Sequence, residues 1–184
     1  MSTSPQRPPG DRRHLARLLD VWARDTDEPV TAGRLRRLVG VVAITQVLEG
    51  LKDEDGRERI AFKGGAALEL RFGFRARASN DLDGACRGEV REAIGLIDRA
   101  LATGWSGFTG RTTEAEPVVG TGLATPPVRF RAKLRYKGKD FVTVPMELSP
   151  VEGRSLEQVE VLPAAVSLAP VRLVTATSVP FLPI

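Results

Sequence analysis

Two aspartates separated by a single residue, Asp81 and Asp83, are the side chains of this sequence best suited to chemistry. On a β-strand alternate side chains point to the same face, so both carboxylates would lie on one side and Leu82 on the other. Carboxylates that close repel each other unless a cation lies between them, and Mg²⁺ and Mn²⁺ prefer oxygen ligands of this kind. An exposed turn can have the same spacing. The pair therefore predicts either a metal site or a surface turn, and its neighbours decide between the two.

Two consecutive glycines, Gly64 and Gly65, come shortly before the aspartates. They follow an apolar run at 60–62, long enough only for a strand, and precede a predicted short helix that ends at Gly73. Glycine lets the backbone approach a ligand closely, and the start of a helix offers free N–H groups to an anion. The pair predicts a cradle for phosphate, although an ordinary turn uses the same residues. The order strand, Gly-Gly, helix, strand strengthens the interpretation of the aspartates as a metal site.

A third carboxylate is needed on a neighbouring strand if two metal ions are to be held for phosphoryl transfer. The stretch 128–148 alternates apolar and charged residues on both sides of "GKD", which predicts a β-hairpin. With a three-residue loop, Arg131 would lie opposite Glu147 and Lys133 diagonal to it, because slipping by one residue would mix the two faces. Glu147 is therefore the candidate third ligand. A solvated ribbon with ordinary cross-strand ion pairs is the alternative.

Lysine is rare in this chain, which makes each one informative. Only five of its 27 basic residues are lysines, at positions 52, 63, 133, 137 and 139. Lysine is a compact point charge suited to a phosphate, whereas arginine presents a planar fork. We therefore interpret Lys133 as a phosphate contact and the lysines at the predicted turn as solubilising residues.

The bulk composition is that of a single globular domain, with 184 residues of which 42% are hydrophobic and 27% charged. The lone cysteine, Cys86, cannot form an intramolecular disulfide and is expected to be a small buried packing residue. The only histidine, His14, argues against a histidine-based zinc site or catalytic triad. Because no secretory signal and no membrane-spanning apolar run is evident, we expect a cytoplasmic protein without membrane contact.

The charge balance is basic, with a formal net charge of +4 and a pI of ≈ 9.7. It is consistent with an anionic partner such as a nucleotide or nucleic acid. A solvated arginine-rich face is the alternative, because charge alone does not identify a ligand.

The elements that must position the candidate residues can be assigned in outline. Apolar residues at helical spacing predict helices from Asp11 to about Ala23, from an N-cap at Thr31 towards Gly50, and over 89–102. "NDLDGAC" is predicted to be the strand that carries both aspartates. The Thr-, Gly-, Pro- and Val-rich remainder favours strands and turns. The outcome is an α/β unit followed by a strand- and loop-rich part.

The stretch "FKGGAAL", followed by arginine-rich sequence and "SNDLDG", resembles the AbiEii/AbiGii-type nucleotidyltransferase toxins, including the MenT-like ones, within the DNA polymerase beta superfamily. The family pattern is Lys-Gly-Gly-Thr-Ala-Leu followed by Arg-x-Ser-x-Asp-Leu-Asp. Ala66 replaces the threonine. The residues of the second motif stand in their expected places: Arg77, Ser79, Asp81, Leu82 and Asp83. The resemblance is specific over residues 60–84 and looser over the hairpin.

The resemblance implies an α+β (mixed α/β) fold with a polymerase-beta-like minimal nucleotidyltransferase core. Its mixed sheet would be flanked by helices and followed by a β- and loop-rich C-terminal part. We expect a flexible Pro- and Ser-rich tail at 1–10, a nucleotidyltransferase domain at 11–158, and a strand-and-loop extension at 159–184. The extension would belong to the same domain or face a partner.

The resemblance also implies a reaction and its partners. The reaction is the Mg²⁺-dependent (or Mn²⁺-dependent) transfer of nucleotides from an NTP to the 3′ acceptor end of tRNA, which stops translation. A paired antitoxin protein would restrain the enzyme. Both expectations come from the family and not from the composition of this chain.

Carried over by position, the resemblance implies three groups of site residues. Nucleotide binding falls to Lys63, Gly64, Gly65, Arg77 and Ser79. Metal binding falls to Asp81, Asp83 and Glu147. Catalysis falls to these three carboxylates together with Lys133. Family members often have aspartate in place of Glu147, and glutamate is longer by one methylene.

One departure keeps other functions open. Family members usually continue, after an "LPL"-like stretch, into a helical region with a lysine and an Arg-Asp pair, whereas this sequence ends at "PFLPI". A second hypothesis keeps the fold but transfers the nucleotide to a protein side chain or a small molecule. A third is a truncated, non-catalytic module that binds nucleotide or antitoxin. Steep salt dependence would favour an RNA acceptor, and NTP binding without pyrophosphate release would favour the non-catalytic module.

Overall fold

The computed structural model describes residues 7–119, 125–151 and 155–183. Within them the chain forms four α-helices: α1 (Arg12–Asp25), α2 (Ala32–Val47), α3 (Gly64–Phe72) and α4 (Val90–Thr103). Eight strands accompany these helices: β1 (Ile60–Lys63), β2 (Leu82–Cys86), β3 (Phe108–Thr112), β4 (Glu116–Pro117), β5 (Val128–Tyr136), β6 (Lys139–Pro150), β7 (Glu160–Leu162) and β8 (Val179–Phe181). Short 3-10 helices occupy Gly73–Arg75, Ser155–Gln158 and Ala169–Val171.

All of the described strands belong to one mixed sheet, in the order β3-β5-β6-β2-β1-β8-β7, with β4 also paired to β5. The β2–β6 and β1–β8 pairs are parallel, and the other pairs are antiparallel. The prediction of a mixed sheet flanked by helices is confirmed. β2 therefore lies in the middle of the sheet, between the strand before the glycines and the second strand of the hairpin.

The hairpin has the predicted faces but not the predicted register. Glu147 pairs with Arg129 instead of Arg131, and Lys133 pairs with Thr143. A shift of two residues leaves every side chain on its predicted face, because side chains alternate with a period of two. Glu147 therefore lies on the charged face as predicted. Lys133, however, lies farther along β5 than the diagonal neighbour of Glu147.

The register differs because the turn is tighter than predicted. The chain turns at Lys137 and Gly138, whose φ angles of 48° and 77° are both positive, as in the two-residue turns that match hairpin twist. This turn alone would set apolar residues opposite charged ones. A bulge next to the Leu134–Arg135 step shifts the pairing by one residue and restores the apolar face.

Helices α2 and α4 pack on the apolar face of the sheet. Gly40 of α2 lies so close to β6 that a Cβ there would be 2.5 Å from Val142 Cγ1. The apolar side chains of β5 are buried beneath these helices, whereas its charged side chains are exposed on the opposite face. The sheet thus has one covered face and one charged face. In the described residues no helix is both long and apolar enough to cross a membrane.

Both ends of the described chain add to this sheet. Residues 1–6 of the predicted tail lie outside the described residues, but Pro9 is buried and its carbonyl accepts a hydrogen bond of 2.7 Å from the Tyr136 hydroxyl. Near the other end, Phe181 of β8 pairs with Phe62 of β1, and the Leu182 N–H donates to the Phe62 carbonyl at 2.9 Å. Ordered packing therefore begins by residue 9, and the segment 179–181 supports the strand that leads to the glycines.

Candidate active site

The two predicted metal-binding aspartates lie at the start of β2. The strand begins at Leu82, so Asp83 is part of it, whereas Asp81 precedes it; the prediction that both lie on the strand is wrong. The neighbouring strand β1 gives way to helix α3 at Gly64, which leaves Asp81 without a partner on that side. Ser79 Oγ donates to the Asp81 carbonyl at 3.1 Å and closes the turn. Asp81 is consequently exposed and Asp83 half-buried.

The sheet register brings the third carboxylate beside Asp83. Asp83 pairs with Glu147 on β6 and with Lys63 on β1. Residues directly opposite on neighbouring strands share a face of the sheet. Lys63, Asp83, Glu147 and Arg129 therefore cross the charged face in one line. The Lys63 ammonium reaches across β2 and donates to Ser149 Oγ at 2.9 Å, two residues beyond Glu147 on β6, so its charge lies beside this line.

The electrostatics of this line favour a bound cation. Burial raises the pKa of Asp83, and the negative charges of Glu147 and Asp81 raise it further, against the opposing charges of Lys63 and Arg129. Three carboxylates that repel one another supply the oxygen donors that Mg²⁺ and Mn²⁺ prefer, so their chemistry fits such an ion.

The side chains of the described residues are not closed around an ion, since among them no group of three or more His, Cys, Asp or Glu is arranged to hold a metal. Glu147 is instead engaged by Arg129, whose Nε donates to Glu147 Oε2 at 2.8 Å. The Arg129 side chain is 65% exposed and that of Glu147 is 28% exposed. An exposed ion pair is weak, so a cation can compete for this carboxylate.

The glycine pair lies directly against the acidic turn. A Cβ on Gly64 would be 2.2 Å from Asp83 Oδ2, and a Cβ on Gly65 would be 2.6 Å from Ser79 Cβ. Gly64 also has a φ of 71°, which other residues rarely adopt. Helix α3 starts at Gly64, and no side chain caps its first N–H groups. These groups are thus available to an anion next to the carboxylates.

The remaining predicted residues lie farther out. Lys133 lines an open cleft of about 550 Å³ on the charged face, together with Asp81 and Glu147. Arg77 is exposed in the loop before β2, and in the part of the chain that the structure describes it has no ion pair. The structure therefore brings together the glycines, Ser79, Lys63 and the carboxylates and sets Lys133 along the same cleft. Arg77 is left without an ion pair among the described residues. Cys86 is buried as expected, and burial raises the pKa of its thiol to about 11.

A buried ion network behind the site was not predicted from the sequence. Glu69 of α3 is 1% exposed, and its carboxylate accepts hydrogen bonds from Arg34 Nε at 2.6 Å and Arg37 Nη2 at 3.0 Å, both on α2. A buried carboxylate is costly unless it is paired in this way. The sequence signal for this network was a single acid inside the apolar run "AALEL". Such a carboxylate must either pair with a cation or remain exposed to water.

The same two arginines hold the loop that leads to the aspartates. Arg34 Nη2 donates to the carbonyls of Phe74 at 3.3 Å and Ala76 at 2.8 Å. Arg37 Nη1 donates to Asn80 Oδ1 at 3.3 Å. Helix α2 therefore fixes the position of α3 and of the loop at once, and through them the distance between the glycines and the aspartates.

Comparison with known proteins agrees with this geometry. Residues 46–183 match the family model described as nucleotidyl transferase AbiEii toxin, type IV toxin–antitoxin system. The matched range includes the glycines, the aspartates and the hairpin. This chain belongs to the AbiEii family. AbiEii proteins are nucleotidyltransferase toxins, and the expected family is confirmed. Curated protein sequences give no match.

A solved structure shows the same fold. The AbiEii chain superposes on the nucleotidyltransferase toxin MenT4 from Mycobacterium tuberculosis H37Rv with a TM-score of 0.64 and 17% sequence identity. The likeness covers 91% of this chain and 54% of MenT4, so the chain spans about half the length of that toxin. At this identity the comparison supports the fold, and the acceptor has to be argued from the site.

Proposed function

We propose that this AbiEii protein transfers nucleotides from an NTP to the 3′ acceptor end of tRNA in a Mg²⁺-dependent (or Mn²⁺-dependent) reaction, and so stops translation. The observation that carries the proposal is the pairing of Asp83 with Glu147 on adjacent strands, beside Asp81 and directly against Gly64. This arrangement sets oxygen donors for a metal next to uncapped N–H groups for phosphate. Family membership supports the reaction class.

The residues divide the work between the metal and the nucleotide. Asp81, Asp83 and Glu147 would hold the metal, which when bound lowers the pKa of the attacking hydroxyl and stabilises charge on the phosphate. Phosphates of the NTP would be held by the following residues: Lys63, Gly64, Gly65, Arg77, Ser79 and Lys133. A bond forms between the 3′ oxygen of the acceptor and the α-phosphorus. The bond from that phosphorus to the bridging oxygen breaks, and pyrophosphate leaves.

The hydroxyl proton needs an acceptor in the same site. Glu147 faces the open cleft and is 28% exposed, so it can hold a metal or take up this proton as a general base. Asp83 is the less accessible of the two to the acceptor, because its carboxylate lies against the glycine loop and not along the cleft.

Two further features follow from the proposal. A cognate antitoxin protein would bind this chain, as its membership of a type IV toxin–antitoxin family implies. The place of action would be the cytoplasm, where tRNA and NTPs are found.

The test is nucleotide transfer by the full chain. Purified protein is incubated with total tRNA, Mg²⁺ and each α-labelled NTP separately, next to Asp81→Ala and Asp83→Ala variants. We expect label on tRNA and a loss of at least about 10²-fold in either variant, because both carboxylates act on charge in the transition state. Asp20→Ala, on the exposed surface of α1, is the matched control. Label that persists in the aspartate variants would contradict the proposed site.

The same lanes distinguish the other hypotheses. Label on protein, or in a small molecule, would keep the enzyme and change the acceptor. NTP binding without label or pyrophosphate release would instead support the non-catalytic module. Chelation of metal with EDTA should abolish transfer if the carboxylates act through a divalent cation.

A further inference from the structure

Beyond the carboxylates, the charged face of the sheet continues as a group of cations. Strand β5 presents exposed basic side chains at alternate positions: Arg129, Arg131, Lys133 and Arg135. Arg111 on β3 is also exposed and pairs directly with Lys133. The face therefore changes from acidic at β2 and β6 to mainly basic at β5 and β3, with Glu116 of β4 opposite Arg129.

Part of this group has no ion-pair partner among the described residues. Arg129 pairs with Glu147, and Arg135 Nε lies 3.3 Å from Asp140 Oδ1. The other three residues have no ion pair within the described residues, and we name them the cation cluster: Arg111, Arg131 and Lys133. Like charges directly opposite each other on paired strands destabilise a sheet. The arrangement is thus unfavourable by itself and becomes favourable when an anion binds.

Open space meets the cation cluster on both sides. The cleft of about 550 Å³ that contains Asp81 and Glu147 is also lined by Arg131 and Lys133, with Glu114 and Glu116 at its margin. A second cleft of about 900 Å³ is lined by Lys133 and Arg111. Lys133 stands where the two meet. A long anionic ligand can therefore extend from the carboxylates through both clefts and past the cation cluster.

The position of the cluster separates it from the cradle for the NTP. In the sheet order β3-β5-β6-β2-β1, the carboxylates are on the central strands, the glycines follow β1 on one flank, and the cation cluster is on the other flank. Strands β5 and β1 are three steps apart, about 14 Å at the usual spacing. A triphosphate held at Gly64 leaves Arg111 and Arg131 free for a different ligand.

We propose that the cation cluster binds backbone phosphates of the acceptor RNA, in the single-stranded stretch next to its reacting 3′ end. The inference rests on the proposed transfer to tRNA, and it assigns a surface to the acceptor. Arg111 and Arg131 both neighbour Lys133, which is left to the NTP. Alternate residues of a strand are about 6.8 Å apart, so the two arginines of the cluster can each meet a different phosphate of an extended strand. Arg111 broadens the positive surface on β3 and holds the strand over the second cleft.

The test measures binding without catalysis. The probe is a fluorescein-labelled single-stranded RNA of about 12 nucleotides, titrated with the full chain in a salt series without NTP or divalent metal. The test variant is Arg111→Gln with Arg131→Gln. The matched control is Arg91→Gln with Arg99→Gln, which removes the same charge from exposed positions of α4 on the covered side of the sheet.

We expect wild-type affinity to fall steeply with salt. Each lost phosphate contact lowers the slope of log affinity against log salt by about 0.7 for a single strand, and hence by about 1.4 for the test variant. Between 50 and 200 mM salt its affinity should thus change about sevenfold less than that of the wild type. The control should keep the wild-type slope. The melting temperature of the test variant should not be lower than that of the wild type, because repulsion between Arg111 and Lys133 has been removed.

Several outcomes would overturn the inference. They are an unchanged slope in the test variant, an equal loss in the control, and a lowered melting temperature that reveals a structural role. An altered affinity for a non-hydrolysable NTP with RNA binding unchanged would also overturn it, because the cluster would then serve the triphosphate. The labelling assay separates this from the proposed function. If tRNA is labelled but the salt slope of the test variant is unchanged, only the proposed acceptor surface is contradicted. If the salt slope changes but tRNA is not labelled, only the proposed transfer reaction is contradicted.

Discussion

At the scale of single residues, Gly64 permits the closest contact of the site. Gly64→Ala would place a Cβ 2.2 Å from Asp83 Oδ2, so either the loop or the carboxylate has to move. We expect a loss of transfer activity of about 10²-fold, because a displacement of about 1 Å at a reacting centre has effects of that size. The measurement is the initial rate of labelling at saturating NTP.

The control for this substitution is Gly56→Ala. Gly56 has a φ of 75°, close to the 71° of Gly64, but a Cβ there meets no atom within 4 Å. Both alanines suffer the same backbone strain, of about 1–2 kcal/mol, and only one meets a carboxylate. Similar activity in the two variants would show that strain, and not contact with Asp83, makes the glycine necessary.

Asp83 is a site carboxylate whose ionisation opposes folding. Its pKa is raised in the folded protein, chiefly by burial, so the folded state binds the proton more tightly than the unfolded chain and gains stability as the pH falls. At neutral pH the ionised carboxylate therefore costs stability. We expect Asp83→Asn to raise the melting temperature of the metal-free protein at neutral pH. The advantage should shrink as the pH falls towards 3.8, the ordinary pKa of an aspartate.

Thermal unfolding in EDTA, followed by circular dichroism from neutral pH down to about pH 4.5, checks this expectation. Added Mg²⁺ should stabilise the wild type more than the variant, because it removes the repulsion among the carboxylates. A variant that melts below the wild type at neutral pH without metal would mean that Asp83 is stabilised by its partners and not strained by them.

At the scale of elements, the site depends on a helix that contributes no predicted site residue. Helix α2 holds Glu69 through Arg34 and Arg37 and holds the loop through backbone carbonyls. Glu69→Gln leaves two guanidinium groups facing a neutral amide. We expect the free energy of unfolding to fall by about 3 kcal/mol, since removing one partner of a buried ion pair leaves the other charge buried and unpaired.

The matched substitution is Glu92→Gln on α4. Glu92 pairs with Arg59 at 2.8 Å, but its side chain is 59% exposed, whereas that of Glu69 is 2% exposed. An exposed pair contributes at most about 1 kcal/mol. Urea unfolding of both variants gives the comparison, and equal losses would show that burial does not distinguish the two pairs. Transfer activity of Glu69→Gln should also fall, because the loop before Asp81 loses its support.

At the scale of the whole molecule, distant segments meet at one strand. Phe181 of β8 is 2% exposed and pairs with Phe62 of β1, the strand that ends at Lys63. Phe181→Ala should lower the free energy of unfolding by about 3–5 kcal/mol through lost burial and the cavity left behind. The control is Val174→Ala, at a position 64% exposed, where we expect a change within about 0.5 kcal/mol. Urea unfolding checks both, and a small effect at Phe181 would show that β8 adds little to the sheet.

The charge layout is also a property of the whole molecule. A net charge of +4 gives no hint that acids and cations are sorted along one face of the sheet. The sorting arises because β2 and β6 carry the carboxylates to the centre while β5 and β3 carry the cations to one flank. In the proposed reaction, the donor nucleotide and the acceptor strand would approach the carboxylates from opposite sides.

The sequence by itself determined the local features of this protein. The N-cap of α2 at Thr31, the end of α3 at Gly73 and the two faces of the hairpin follow from side chains near one another in the chain. The Gly-Gly and Asp-x-Asp motifs could be recognised from the sequence for the same reason. Local hydrogen bonding and steric limits act within a few residues, so a sequence pattern records them directly.

Only the tertiary structure decided how these pieces meet. The bulge that pairs Glu147 with Arg129, the parallel pairing that sets Asp83 beside Glu147, and the capture of Glu69 by α2 each join residues far apart in the chain. A two-residue error in register left the charged face intact, since periodicity specifies the face of a strand and not its partner. Partners are chosen by turn geometry, sheet order and the burial of charge, which exist only once the whole chain has packed.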